Sequence, residues 1–401
     1  MDIAAALARR RAPLEDLATQ AEGLALTCRA MAERFARGGR LLVFGNGTRT
    51  ADAQHVAVEF VHPVIAGKRA LPALSLAGDA ATLLGVASRL GFDDVYAHQV
   101  EVLGHVDDIA LGLGSETNVQ RGLAAARRRG LLTVALTDAR GGAADHVVAV
   151  AAEDPLVVKE AHVKAYHLLW ELVHVFLESP AAPQASEGVE SLYPFLYGGG
   201  ADQDAVLVAV AESVRQKVAE VVALRAAVPV PPLVACAGAV AERLSAGGTL
   251  LALGNGGSST DAQDLVHCFM DPVSGAALPA LCLTNDVAVL TALSNDVSFD
   301  VVFARQVRAF GRAGDVVVAL STSGGSRNVL NALDEAQALG ILTIGLSGYG
   351  GGLMAEASSL DHLLAVPSSS VHRVQEVQTT LVHLLWEVVS TSLPRSRPAP
   401  G

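Results

Sequence analysis

LLALGNGGSS, residues 250–259, decides the fold. A short apolar run ends in glycines, an asparagine and hydroxyls, the composition of a buried strand that turns through a loop into a helix. LLVFGNGTRT, residues 41–50, is the same unit again. Working outward, GFDDVYAHQV (91–100) matches VSFDVVFARQV (297–307), LLTVALTD (131–138) matches ILTIGLSG (341–348), and YHLLWELV (166–173) matches VHLLWEVV (382–389). The order is the same in both halves, so one unit of roughly 190 residues occurs twice. The Pro-, Gly- and Ser-rich stretch 179–203 reads as a linker between domains at 1–178 and 204–393, with a tail at 394–401.

Each half opens on helical sequence and then alternates short apolar runs with helical segments. LLVFG, ALSLA, DIALGL, LTVALT and HVVAVA are the strand candidates of half one; LLALG, ALCLT, DVVVALS, LTIGLS and HLLAVP are those of half two. Runs this short and apolar suit strands covered on both faces, hence an α/β fold with two parallel five-stranded sheets flanked by helices. A long helix is expected to close each half, over about 156–178 and 371–393.

Composition narrows the function. Hydrophobic residues make up 51% of the 401-residue chain, enough for large cores, and no long uncharged apolar stretch suggests a membrane span. Acidic residues outnumber basic ones 41 to 29, which argues against a general nucleic-acid or membrane-surface binder. The opening MDIAAALARRRAPLED places an acid before its short apolar run, the wrong order for a secretory signal, and four cysteines without CxxC spacing read as buried thiols. Both observations point to a reducing cytoplasm.

In parallel sheets, ligands sit at the carboxyl ends of strands beside helix N-termini. Half two offers two such loops, Gly254-Asn255-Gly256-Gly257-Ser258-Ser259 and Ser321-Thr322-Ser323-Gly324-Gly325-Ser326. Their hydroxyls and glycine-freed N–H groups make a phosphate cradle. Half one lacks the counterparts of Ser321, Thr322 and Ser323 and carries Glu116 in place of Ser326, a carboxylate that would repel an anion. Half one instead has His55 and Glu59 at i and i+4, a pair that could hold a metal or supply a base, where half two has Asp264 and Cys268. His167 and His383 occupy equivalent places on the closing helices, eight residues after Lys159 and Gln375. Lys68 and Arg69 read as solvated surface residues.

Together, GNGGSSTDAQ, LSTSGGSRNV and HRVQEVQTTLVH resemble the SIS (sugar isomerase) domain superfamily, and most of all its sedoheptulose 7-phosphate (phosphoheptose) isomerases. The resemblance covers nearly the whole chain, once per half. It implies that Asn255, Gly256, Gly257, Ser258, Ser321, Thr322, Ser323, Ser326 and Asp286 bind the sugar phosphate. It further implies Glu59 and His383 as the acid/base pair, and His55, Glu59, Gln375 and His383 as ligands of a Zn2+. Since family sites lie at subunit interfaces, a composite site is expected, His55 and Glu59 of half one meeting the cradle, Gln375 and His383 of half two. The activity implied is conversion of D-sedoheptulose 7-phosphate to D-glycero-D-manno-heptose 7-phosphate through an enediol, by a homodimer that imitates the family tetramer. Two other readings fit the same motifs: isomerisation of another sugar phosphate, and a non-catalytic sugar-phosphate sensor or partner-binding regulator.

Overall fold

The computed structural model describes residues 1–65, 67–178 and 203–393; the expected linker, apart from Gln203, and the tail lie outside these residues. Half one runs α1 (Ile3–Ala8), α2 (Arg11–Thr19), α3 (Ala21–Ala36), β1 (Leu41–Gly45), α4 (Thr48–Val61), β2 (Ala73–Ser75), α5 (Ala80–Leu90), α6 (Val95–Leu103), β3 (Ile109–Leu113), α7 (Thr117–Arg128), β4 (Leu132–Asp138), β5 (His146–Val150) and α8 (Pro155–Glu178). Half two runs α9 (Gln203–Ala226), α10 (Val230–Ser245), β6 (Leu250–Gly254), α11 (Gly257–Met270), β7 (Ala280–Cys282), α12 (Val287–Asp296), α13 (Val302–Phe310), β8 (Val316–Ser321), α14 (Arg327–Ala338), β9 (Leu342–Ser347), β10 (His362–Ala365) and α15 (Val371–Ser392).

Both sheets have five strands, in the orders β2-β1-β3-β4-β5 and β10-β9-β8-β6-β7, and every strand pair is parallel. All ten strand candidates are strands. The central ones are buried throughout because helices cover both faces, which is why they read as unbroken apolar runs. In each sheet the chain steps first to one side of the GNG-bearing strand, to β2 or β7, and then to the other, to β3 or β8. The crevice beyond this reversal is where open α/β sheets bind ligands. It places the 254–259 loop beside the 321–326 loop, with Gly254 in register with Leu320.

The compact units do not share the edges of the repeat. Arg10–Val222 form one unit, and Met1–Arg9 fold with the chain from Ala223 onward as the other. The cause is visible in the side chains. Val206, Val210, Val214, Val218 and Val221 of α9 are buried in the core of half one, whereas Arg9 bonds Glu387 of α15 at 2.6 Å. Periodicity marks the repeat; these valines and this ion pair mark the units.

Candidate functional site

The two loops of half two that were expected to cradle a phosphate lie side by side. Gly256 caps α11 with φ of 54°, a left-handed conformation that glycine adopts without strain, and the turn closes with the Ser258 amide donating to the Asn255 carbonyl at 3.0 Å and the Ser259 amide to the Gly256 carbonyl at 2.9 Å. A side-chain clasp ties the loops together: Asn255 donates to Asn328 at 2.9 Å and Asn328 donates back at 2.9 Å. Ser321 and Ser326 hydroxyls stand 3.3 Å apart, and Ser323 Oγ accepts from the Gly325 amide at 3.2 Å. Gly324 has φ of 65°, and a Cβ there would lie 2.0 Å from the Gly351 carbonyl, so the serine loop is pinned to the segment behind it. The structure thus brings Asn255, Gly256, Gly257 and Ser258 beside Ser321, Thr322, Ser323 and Ser326. Asp286 also caps a helix. It is exposed, and its carboxylate accepts from the Val289 amide at 3.0 Å as the cap of α12, as Asp79 caps α5.

Half one keeps the clasp, with Asn46 and Asn118 bonded at 2.6 and 2.9 Å, but fills the cradle with its own charges. Arg49, at the position of Ser258, donates to Glu116, at the position of Ser326, over 2.7 Å. A Cβ on Gly114 would be 2.1 Å from the Glu116 carboxylate, so that carboxylate lies over the shortened loop. Sequence reasoning identified the repulsive carboxylate and missed the guanidinium that neutralises it. Nearby, His162 is fully buried with Nε2 3.0 Å from the Thr137 carbonyl; burial, then the Arg49 and Lys159 charges, pull its pKa down to about 3 and keep the ring neutral.

Behind each crevice lies a cluster of ligand-type side chains. On α4, His55 and Glu59 share a face, with His55 Nε2 3.5 Å from Glu59 Oε1. His167 of α8 completes a group whose donor atoms all lie within 4.8 Å of one another. His55 Nδ1 bonds the Tyr166 hydroxyl at 3.2 Å, and Asp52 stands within reach of both Tyr166 (3.5 Å) and the Lys159 ammonium (2.6 Å). Tyr166 therefore orients the imidazole, and His55 Nε2, buried and without a hydrogen bond, is left facing Glu59. Two imidazoles and a carboxylate, one nitrogen held ready, fit a zinc ion with an open position. In half two the equivalent positions bring together Asp264, Cys268 and His383, with His383 Nε2 3.0 Å from Asp264 Oδ2.

Within each half the ligand-type residues group as follows. His55 and Glu59 meet His167, and His383 meets Asp264 and Cys268, each within its own half. Gln375 is buried on α15 two turns before His383, its Oε1 without a hydrogen bond. His167 and Tyr166 were not separable from core packing in the sequence; the signal for them is the helical spacing of Lys159, Tyr166 and His167 opposite Asp52, His55 and Glu59. Lys68 is also not the solvated residue expected: its ammonium pairs with Glu178 and its side chain is 6% exposed.

The SIS domain family matches the chain over residues 7–138 and again over 230–348. The chain belongs to the SIS domain family. Among its relatives, a phosphoheptose isomerase of Desulfovibrio desulfuricans is 48% identical over 152 residues, 37% of this chain and 71% of that protein. One of Rhodospirillum rubrum is 44% identical over 165 residues, 41% of this chain and 87% of its own. Among solved structures, the C-terminal domain of glucosamine-fructose-6-phosphate aminotransferase from Francisella tularensis superposes with a TM-score of 0.58 at 12% identity. It covers 96% of this chain and 98% of its own, and shows a shared SIS fold.

Proposed function

We propose that the chain is an aldose–ketose isomerase acting on D-sedoheptulose 7-phosphate to form D-glycero-D-manno-heptose 7-phosphate. The observation that carries the reading is the half-two cradle, two loops clasped by Asn255 and Asn328 at the sheet's reversal point. The five hydroxyls of Ser258, Ser321, Thr322, Ser323 and Ser326 would anchor a terminal phosphate without any net positive charge. Isomerisation then moves one proton between adjacent carbons through an enediol and needs a base and an acid near them. Those roles are assigned to Glu59 and His383, one carboxylate and one imidazole, each buried and braced within its own half. Asp264 orients His383, its Oδ2 3.0 Å from the imidazole Nε2. His55, Glu59 and His167 would hold a Zn2+, which when bound would polarise the enediol oxygens.

Proton exchange at carbon 1 of sedoheptulose 7-phosphate, followed by NMR with and without a chelator, tests the reading. His383→Asn and Glu59→Gln are each expected to abolish exchange while leaving phosphate binding intact; normal exchange in Glu59→Gln would remove the half-one carboxylate from the reaction. A panel of phosphorylated C5 to C7 sugars settles the substrate. The second reading, a sugar-phosphate sensor, is favoured by Cys268 standing where half one has Glu59 and by the Arg49–Glu116 pair filling the other cradle; it predicts binding with no exchange. Four buried free cysteines suit the reducing cytoplasm assigned to the chain. A homodimer is also proposed, since Leu84 and Phe92 in half one and Val287 and Phe299 in half two are exposed. Light scattering on the purified chain tests it, and a monomer refutes it.

A further inference from the structure

One residue of half two holds a backbone shape that glycine alone adopts without strain. Tyr349 follows Gly348 at the end of β9 with φ of 51°, and among the described residues every other positive φ belongs to a glycine. For a bulky side chain this conformation is an outlier, and such outliers gather at ligand clamps. Glycines follow it, with φ of 69°, 103° and 54° at Gly350, Gly351 and Gly352. The tyrosine is 45% exposed, so packing returns little of what the strain costs.

The residue lies beside the serine loop. β8 and β9 pair in register at Ser321 and Ser347, so Thr322 and Gly348 leave the sheet side by side. The Gly348 amide donates to the Thr322 carbonyl at 2.9 Å, and the Met354 amide donates to the Gly324 carbonyl at 3.0 Å. A Cβ on Gly352 would lie 2.1 Å from the Ser323 carbonyl. From the other side, the Tyr349 amide donates to the Ser368 carbonyl at 2.9 Å. The tyrosine backbone is thus fixed next to the loop that carries Ser321, Thr322, Ser323 and Ser326. Half one has neither feature: its serine loop lacks three residues, and the position aligned with Tyr349 is Ala139, whose φ is not positive. The strained aromatic occurs only in the half with the intact serine loop.

We propose that Tyr349 is a specificity-determining residue, whose ring packs against the carbon chain of a sugar phosphate while the serine loop holds the phosphate. An aromatic face is apolar and electron-rich, and it suits the C–H groups of a sugar chain. The loop hydroxyls accept any phosphate; the ring adds a contact that only a ligand with a carbon chain can make. The strain is then tolerated because it holds the ring at the rim of the crevice. The inference rests on the reading of the two loops as a phosphate site.

Calorimetric titration of the full chain with sedoheptulose 7-phosphate and with inorganic phosphate tests the two readings and keeps them apart. Tyr349→Ala should weaken sugar-phosphate binding by about 10-fold and leave inorganic phosphate within about 2-fold. Tyr349→Phe keeps the ring and should stay within about 3-fold of the wild type for both ligands. Should Tyr349→Ala fail to fold, Tyr349→Gly decides, because glycine takes this φ without strain; it should show the same loss. Wild-type affinity for the sugar phosphate in the ringless variant overturns the inference and leaves the phosphate site standing. An equal loss for both ligands also overturns it, since that marks a merely structural role, as does a wild type with no preference for the sugar phosphate over inorganic phosphate. A wild type that binds neither ligand refutes the phosphate site, and this inference with it.

Discussion

Half one shows how a cradle is closed, and the same change can be made in half two. Ser326→Glu would place a carboxylate at the N-terminus of α14, where the proposed phosphate sits. Two unit charges 4 Å apart interact by about 4 kcal/mol at an effective dielectric of 20. Ser326 is only partly buried, and solvent screening about halves that figure to about 2 kcal/mol, or roughly 30-fold in affinity for each unit of phosphate charge. A dianionic phosphate should therefore bind at least 100-fold more weakly. Ser326→Ala removes only a hydroxyl and should cost about 1 kcal/mol, less than 10-fold. Isothermal titration of both variants with sedoheptulose 7-phosphate and with inorganic phosphate separates charge from shape. If Ser326→Glu binds within 3-fold of the wild type, the anion does not sit at this helix N-terminus, and the cradle is only a pair of turns.

Three further outcomes follow from the geometry. His162 has a folded-state pKa of about 3 against an ordinary value of 6.5, so the unfolded chain takes up its proton first: the contribution is full above pH 6.5 and is lost as pH falls toward 3, by about 2 kcal/mol at pH 5. Denaturant unfolding of the wild type and His162→Gln at pH 7 and 5 should show that difference, and parallel pH slopes would remove the assignment. Tyr166→Phe deletes the hydroxyl that orients His55 and should weaken metal binding in half one about 10-fold with little loss of stability, read by competition with a chromogenic chelator. Arg10 and Glu160 pair at 2.8 Å with both side chains fully buried, so Glu160→Gln should destabilise by about 3 kcal/mol; a thermal unfolding midpoint unchanged within error counts against that pair.

The strands were legible because each is a short apolar run between glycine turns, and the repeat doubled every signal. The cradle was legible for the same local reason, since all its residues lie within two loops. The clusters were only half legible. His55 and Glu59 are four residues apart on one helix, but His167 reaches them from a helix more than a hundred residues later, and no spacing rule spans that distance. Arg49 and Glu116 are hidden in the same way: each appears as a lone departure from its counterpart, and only the fold shows that one answers the other. Asp286, which the resemblance implied as a phosphate ligand, caps α12 as Asp79 caps α5, a local task that the sequence reading did not include. The unit edges were illegible because the valines of α9 read equally well as part of either half.

That exchange of edges governs the order in which the molecule can be made. The unit Arg10–Val222 is contiguous, so a ribosome can complete it while the remainder is still unsynthesised. Residues 1–9, made before that unit, must wait until α15 has been translated before Arg9 can meet Glu387. A gene cut at the apparent linker would thus yield neither unit whole: the first fragment would lose the valines that seal its core, and the second would lack the segment that joins it last.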